Sequence, residues 1–197
     1  MLRSEIRVDT HRSNLQGSNQ TMVGYRRNFI AGGTYFFTAV LQDRTSSYLV
    51  DHKDLLLQSV QAVKNKSCFD EVAIVILPDH LHTIWKLPYD DFDYPARWKA
   101  IKSLFTRSLV KSGAPLTKNT RGEYSLWQRR YWEHTIIDEQ DLISHIDYIH
   151  YNPVKHGYVD KVSDWVPSSF HRFVRAGMLP DDWGGAAKEF DGMDFGE

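Results

Sequence analysis

Two histidines separated by one residue are the first side chains in this sequence that suggest chemistry. His80 and His82 flank Leu81 in the segment HLHTIWKL, whose alternation is typical of a β-strand. Because side chains alternate between the two faces of a strand, both imidazoles are predicted to share one face, with Leu81 on the other. Imidazoles at positions i and i+2 on one face can hold a single metal ion, yet such a pair also occurs as an ordinary structural feature.

A tyrosine and an amide form a second pair, on a predicted helix. Tyr148 and Asn152 are four residues apart and therefore share a helix face. Leu142, Ile146 and Ile149 form a different, apolar stripe that is predicted to dock this helix on the sheet, which leaves Tyr148 available for chemistry. In the alternative interpretation, Tyr148 packs at the helix edge and Asn152 only ends the helix before a proline.

Four other polar side chains have open roles. Asp141 and His145 precede Tyr148 on nearly the same helix face, so His145 has either a proton-shuttling role or a surface or capping role. Glu133, next to His134, is either a hydrogen-bonding partner of an imidazole or part of an ion pair at a strand edge.

Charge is concentrated in blocks along the chain. Residues 95–134 have nine Lys and Arg against two Glu, a net charge of +7, whereas residues 179–197 have a net charge of −5. Basic side chains neutralise phosphates and aromatic faces stack on unpaired bases, so the basic block is predicted to bind nucleic acid. The alternative is a solvated helix face over an aromatic core. Seven basic residues are the candidates for DNA contact: Arg97, Lys99, Lys102, Arg107, Lys111, Arg129 and Arg130.

The overall composition is that of an ordinary globular protein. The chain has 197 residues, 42% of them hydrophobic, and a formal net charge of −1. No apolar run approaches the roughly 20 residues of a membrane-spanning helix, and the polar N-terminus has no secretory signal. A single cysteine, Cys68, excludes an intramolecular disulfide and a multi-cysteine zinc site. These features favour a cytoplasmic protein, and Cys68 is expected in the core.

The elements that must position these residues follow from periodicity. Strands are predicted over four segments: 34–40, 71–77, 80–87 and 132–137. Helices are predicted over three: 52–66, 95–112 and 139–152, the last stopped by a proline. The order β-α-β-β-α-β predicts an α+β, ferredoxin-like fold with a four-stranded antiparallel sheet, helices on one face and an additional C-terminal helix.

This order also predicts three regions along the chain. Residues 1–24 are interpreted as a flexible extension and residues 25–156 as the folded domain. Residues 157–197 are interpreted as a C-terminal extension, with the acidic tail from 179.

The combination of HLH with a helix carrying Tyr-x-x-x-Asn resembles the HUH single-strand endonuclease superfamily. The resemblance is closest to the REP-associated tyrosine transposases, relatives of the small single-strand insertion-sequence transposases. Matching segments occur in order over most of the chain: 26–27 through 32–38, 77–82, 127–129, 133–134, 148–154 with 157, and 168–172. Together these segments are far more specific than any one motif.

The resemblance implies a metal-dependent enzyme that cleaves and rejoins single-stranded DNA near palindromic hairpins. In such a protein His80, His82 and Asn152 would hold Mg²⁺ or Mn²⁺, and Tyr148 would form a 5′-phosphotyrosine intermediate without any nucleotide cofactor. Stronger activity is expected with Mn²⁺, because imidazole suits it better than Mg²⁺. The expected partner is single-stranded or hairpin DNA near the nucleoid, bound by a monomer or a homodimer.

Two other interpretations stay open at this point. One is a non-catalytic hairpin-DNA-binding regulator that keeps the same fold. The other is an RNA-binding ferredoxin-like module, which predicts exposed aromatic side chains on the sheet face and no dependence on a metal.

Overall fold

A four-stranded antiparallel sheet forms the centre of the computed structural model, which describes residues 27–184. The strand order is β2-β3-β1-β4. The strands are β1 Thr34–Val40, β2 Asp70–Ile76, β3 His80–Lys86 and β4 Trp132–Thr135. The predicted α+β fold and its antiparallel sheet are confirmed. The expected extension over residues 1–24 and the part of the acidic tail beyond residue 184 lie outside the described residues.

Helices cover both faces of the sheet. They are α1 Tyr48–Asp51, α2 Lys53–Lys64, α3 Tyr94–Lys111, α4 Glu139–Lys155 and α5 Phe170–Arg175, with a 3-10 turn at Val162–Asp164. The helices α2 and α3 pack together on one face, and α4 packs against β2 and β3 on the other. Within residues 27–184, none of these helices combines the length and apolar character needed to cross a bilayer.

Alternation along β1 builds two separate cores. Tyr35 and Phe37 point toward α2 and α3, where Phe37 packs against the stacked pair Trp85 and Trp98, whose ring centroids are 4.5 Å apart. Phe36 points to the opposite face and packs under α4. The strand period of two therefore divides this aromatic-rich segment between the layers. Cys68, expected in the core, is exposed.

The helix α4 does not stop where the sequence predicted. Pro153 lies inside it, and the helix continues to Lys155. Proline removes one backbone donor, but the last turn is held by the backbone N–H of His156, which donates to the carbonyl of Asn152 at 3.0 Å. Asn152 and Pro153 are both buried, so packing also favours the continued helix. Asn152 is therefore a helix residue rather than a helix end.

The segment after α4 covers the outer edge of β2. The backbone N–H of Ile76 donates to the carbonyl of Pro167, and that of Ser169 donates to the carbonyl of Ile74. The indole Nε1 of Trp165 also donates to the carbonyl of Ile76 at 3.0 Å. These bonds satisfy backbone groups that an uncovered edge strand would expose.

We expect His150, on α4, to make the fold sensitive to acid. Burial, together with the charges of Arg172 and His171, lowers the pKa of His150 to about 3. The histidine of the unfolded chain has a pKa near 6.5 and binds a proton more readily than the folded protein does. The contribution of His150 to the free energy of unfolding is therefore complete above pH 6.5 and is lost as the pH falls toward 3. Between pH 7 and pH 5 this histidine should remove roughly 2 kcal/mol from the free energy of unfolding.

Urea unfolding of the wild type and the His150→Gln variant at both pH values checks this expectation. Glutamine does not titrate and can still bond Ser169, whose hydroxyl lies 3.0 Å from Nε2 of His150. Between the two pH values, the free energy of unfolding of the variant should fall by about 2 kcal/mol less than that of the wild type. Equal losses in both proteins would contradict the assignment.

Candidate active site

The two histidines of β3 lie side by side on the sheet face that α4 covers. His80 and His82 are buried, and their ring centroids are 5.0 Å apart. Leu81 points to the opposite face and joins the core under α2 and α3. The structure therefore places both imidazoles as the strand alternation predicts.

Each imidazole is oriented through its Nδ1 atom. Nδ1 of His80 lies 2.8 Å from Oδ1 of Asp79, and Nδ1 of His82 lies 2.9 Å from Oγ1 of Thr38 on β1. Asp79 also pairs with Arg44. Burial alone would raise the pKa of Asp79, but His80 and Arg44 hold it below its usual value, so Asp79 is a carboxylate. With Nδ1 committed in both rings, Nε2 is the nitrogen that each offers to a ligand.

The phenol of Tyr148 meets this histidine pair within a single chain. Its ring centroid lies 5.3 Å from that of His82 and 6.1 Å from that of Phe36. Asn152, one turn further along α4, is also buried. The expectation that Tyr148 stands apart from the docking face is wrong, because its ring is part of the core between α4 and the sheet.

Lys155 reaches the reactive end of this tyrosine. Its Nζ donates to the hydroxyl oxygen of Tyr148 at 3.1 Å and lies 4.8 Å from the ring centroid. An ammonium group at this distance favours negative charge on the phenol oxygen. The sequence interpretation missed Lys155, although its spacing of seven residues from Tyr148 places both on one helix face. Thr38 was not recoverable from spacing, because only strand register brings it to His82.

The donor set at this position fits a divalent cation. The two imidazoles and the buried amide of Asn152 would supply nitrogen and oxygen ligands of the kind that Mn²⁺ accepts. The carboxylate of Asp79 behind His80 is the usual support of a metal-binding histidine, because it fixes the tautomer and the ring orientation.

A second polar cluster lies further along the same sheet face. Oδ2 of Asp141 lies 2.9 Å from Nε2 of His134, and Oδ1 lies 2.9 Å from Nδ1 of His145. The two imidazoles are stacked, with centroids 4.6 Å apart. Burial lowers the pKa of His145 even though its contacts with Asp141 oppose this. The sequence placed Asp141 and His145 on the helix face of Tyr148 but did not connect them with His134.

Glu133 lies on the opposite face of the sheet from the histidine pair. It is opposite Phe37 in the register, where it accepts a 2.9 Å hydrogen bond from the hydroxyl of Tyr94 and pairs with Arg27 at 3.6 Å. The suggestion that Glu133 supports an imidazole of the β3 pair is therefore wrong, and the ion-pair interpretation is the one that the structure supports.

A basic and aromatic groove of about 650 Å³ runs along α3. Lys102 lines it, with Nζ 5.2 Å from the ring centroid of Trp127 and 5.5 Å from that of Tyr131, and donates to the backbone carbonyl of Gln128 at 3.2 Å. Burial, and then the charge of Arg27, lower the pKa of Lys102 to about 8. Lys99, Arg107 and Arg129 line the groove as well. Lys111 and Arg130 are exposed but are not among its lining residues.

Arg97 differs from the expectation of a DNA contact. Its side chain is buried and donates to both oxygens of Asp91 and to the backbone carbonyls of Ser67, Cys68 and Asp93. The guanidinium therefore ties the start of α3 to the loop before β2. The charge pattern could not separate this structural arginine from exposed ones, because its partners come from two different segments.

Two aromatic residues of the basic block are also structural. Trp98 and Phe105 are fully buried in the core under α3. Tyr124 and Trp127 remain partly exposed and line the groove. For Trp98 and Phe105, therefore, the alternative of a helix face over an aromatic core is the correct one.

Comparison with known proteins gives the family. No protein-family model matches the chain. It is 51% identical over 166 residues to a protein of Haemophilus influenzae described as a candidate REP-associated tyrosine transposase, covering 83% of this chain and 94% of the relative. It is 43% identical over 169 residues to the REP-associated tyrosine transposase of Escherichia coli, covering 86% of this chain and 95% of that protein.

The fold agrees with a solved structure of the same kind. A REP-associated tyrosine transposase bound to a REP hairpin superimposes with a TM-score of 0.77 at 42% identity, covering 88% of this chain and 98% of that one. These similarities extend over nearly the full length of each relative and include the segments that contain the histidine pair and the tyrosine helix. The chain therefore belongs to the REP-associated tyrosine transposases.

Proposed function

We propose that this protein is a metal-dependent single-strand DNA endonuclease and transposase that cleaves and rejoins DNA near palindromic hairpins through a 5′-phosphotyrosine intermediate. The observation that carries the proposal is the position of the Tyr148 ring, 5.3 Å from His82 and beside the His80–His82 pair of the same chain. The test is a covalent protein–DNA adduct on a labelled hairpin substrate, which the Tyr148→Phe substitution should remove.

The proposed reaction is a transesterification at one phosphodiester. The hydroxyl oxygen of Tyr148 attacks phosphorus, the bond from phosphorus to the 3′ oxygen breaks, and the 3′ end leaves as a free hydroxyl. The phenol gives up one proton and the departing 3′ oxygen takes one up, so the exchange balances. The ammonium of Lys155, 3.1 Å from the phenol oxygen, stabilises negative charge on that oxygen as its proton leaves. The phosphodiester energy is retained in the tyrosyl ester, so rejoining requires no nucleotide cofactor.

His80, His82 and Asn152 are the proposed ligands of Mg²⁺ or Mn²⁺. When bound, the cation supplies Lewis-acid polarisation of a non-bridging phosphate oxygen. The chain itself contributes orientation, since Asp79 and Thr38 fix the two rings through their Nδ1 atoms. Burial of both imidazoles excludes bulk water from the histidine pair.

The proposed substrate is a DNA hairpin with a single-stranded flank. The solved relative is bound to a REP hairpin, and the groove along α3 offers cationic and aromatic side chains for such a ligand. The groove and the histidine pair lie on opposite faces of the sheet, and the edge strand β4 follows directly after the groove residues 127–129 and 131. A flank that leaves a stem in the groove must pass this edge to reach Tyr148.

The second candidate is a hairpin-binding regulator without catalytic activity. The groove on its own supports this function, because its cations need no metal and no nucleophile to hold DNA. The close grouping of His80, His82 and Tyr148, with Asn152 buried one turn further along α4, favours the enzyme instead. Hairpin binding with no adduct under any divalent cation would favour the regulator.

Neutralising the groove should weaken hairpin binding and flatten its dependence on salt. Each lost phosphate contact reduces the slope of log K against log salt concentration by about 1, so Lys102→Ala and Arg107→Ala are each expected to show this change. Titrations between 50 and 200 mM salt, roughly the range in which counterion release is visible, measure the slope. Lys66→Ala, an exposed lysine outside the groove, is the control. Unchanged affinity and slope in both groove variants would remove the groove from the DNA path.

The groove residue Lys102 should also make hairpin affinity depend on pH. Lys102 has a pKa of about 8, so it loses its charge as pH rises through that value. Wild-type affinity should therefore fall between pH 7 and pH 9, and Lys102→Ala should lose most of this dependence. A pH profile that is identical in the two proteins would show that the Lys102 charge does not act on DNA.

A further inference from the structure

We propose that His134, Asp141 and His145 form a second transition-metal site, distinct from the His80–His82 pair, that joins β4 to the N-terminal part of α4. The three side chains offer two imidazole nitrogens and one carboxylate oxygen. These ligand atoms all lie within 4.8 Å of one another.

The spacing of the donor atoms fits coordination of one ion. Ligands about 2.1 Å from a metal lie roughly 3.0 Å apart at right angles and roughly 3.4 Å apart in a tetrahedron. Both contacts of the Asp141 carboxylate with the imidazole nitrogens, to Nε2 of His134 and to Nδ1 of His145, are 2.9 Å. Coordination by both rings requires the stacked imidazoles to tilt toward a common point. The His145 proton must also move to its other ring nitrogen, which gives up the 2.8 Å hydrogen bond from Nδ1 to the backbone carbonyl of Asp141.

The surrounding backbone holds these donors in place. The backbone N–H of Ile137 donates to Oδ2 of Asp141 at 3.0 Å, and the N-cap side chain of Asp138 accepts from the backbone N–H of Asp141 at 2.8 Å. The rings of His134 and His145 are nearly parallel, at 11°. The carboxylate is thus oriented by a backbone donor, as supported metal ligands usually are.

Burial leaves the cluster one accessible side. The side chain of His145 is 7% exposed and that of Asp141 is 16% exposed, whereas that of His134 is 34% exposed. A metal can enter from the His134 side and keep a water there, while the other two donors are held inside the fold.

The donor set identifies the class of ion. Two imidazoles and one carboxylate favour the later first-row divalent metals over Mg²⁺ and Ca²⁺, which prefer oxygen ligands. Zn²⁺ is the expected ion, with Co²⁺ as a spectroscopic substitute. The ring of Phe36 lies between this cluster and the His80–His82 pair. Its centroid is 5.4 Å from that of His82, on which it stacks, and 4.8 Å from that of His145.

Counting bound Zn²⁺ by calorimetry in the full chain tests the proposal. The His80→Ala/His82→Ala double variant should still bind one Zn²⁺ ion, and adding His134→Gln should remove it. In the double variant, Zn²⁺ at about a hundred times its Kd should raise Tm by roughly 5–10 °C. His52→Gln, which changes a histidine outside both groups, should alter nothing.

Fluorescence gives a second measurement that does not depend on the double variant. The indole of Trp132 is stacked on the ring of His134 at 6.0 Å and 9°, so Co²⁺ bound at His134 should quench it. Quenching should be lost in His134→Gln and greatly reduced in Trp132→Phe, within an otherwise native chain. Zn²⁺ stoichiometry and Co²⁺ quenching that are unchanged by His134→Gln would overturn the proposal. Failure of DNA cleavage would not affect this outcome, because neither measurement involves DNA.

Discussion

Tyr148→Phe is expected to abolish the covalent protein–DNA adduct, lowering its yield by at least about 10³-fold, while hairpin binding stays within about twofold of wild type. The substitution removes only the hydroxyl that is proposed to attack phosphorus. The ring that packs against Phe36 and His82 remains, so the helix keeps its contact with the sheet. The groove that is proposed to bind the stem lies on the other face and is not touched.

The measurement is a denaturing gel of protein incubated with end-labelled hairpin DNA and Mn²⁺. Tyr151→Phe is the matched control, because it changes the same residue type on α4, three positions along and on a less buried face. It should leave the adduct intact. An adduct that persists in Tyr148→Phe and disappears in Tyr151→Phe would assign the nucleophile to Tyr151, and loss in neither variant would exclude both tyrosines.

Removing the proposed cation should have the next largest effect. Chelation by EDTA, or His82→Ala, is expected to lower the rate of strand cleavage by at least about 10²-fold, because polarisation of the phosphate is worth several kcal/mol. Mn²⁺ should restore more activity than Mg²⁺ to the chelated wild type, since two of the proposed ligands are imidazoles. Neither ion should restore His82→Ala fully, because one ligand is missing.

Hairpin affinity is the control that separates this effect from a general loss of structure. The groove residues and His82 lie in different layers, so His82→Ala should bind the hairpin as the wild type does. His52→Gln, a histidine substitution outside the site, should keep full cleavage. Undiminished cleavage in EDTA would exclude the metal-dependent mechanism, whatever the variants do.

Lys155 bears on both experiments, because it is the cation that contacts the phenol oxygen. The Nζ atom of Lys155 donates to this oxygen at 3.1 Å, and a phosphate that enters the site would bring negative charge to the same ammonium group. The proposed nucleophile, the ring of His82 and this ammonium therefore lie together within the chain.

Local spacing was sufficient for the parts of the site that lie on one element. The alternation of β3 determined that His80 and His82 share a face, and the helical period determined that Tyr148 and Asn152 do. The number, type and order of the main elements also followed from periodicity, because hydrophobic pattern and turn residues report on short stretches of chain. Pro153 was the exception, since packing and the bonds of the last turn extended α4 past it.

Contacts between elements were decided only by the tertiary structure. Thr38 supports His82 because of the β1–β3 register, and Glu133 faces away from the histidines because of the β1–β4 register. Arg97 and Tyr148 are buried because of how α3 and α4 dock. A sequence shows which side chains share a face of their own helix or strand. The residue that each of them contacts on a neighbouring element depends on strand register and helix docking angle. Both are set by the packing of the whole domain.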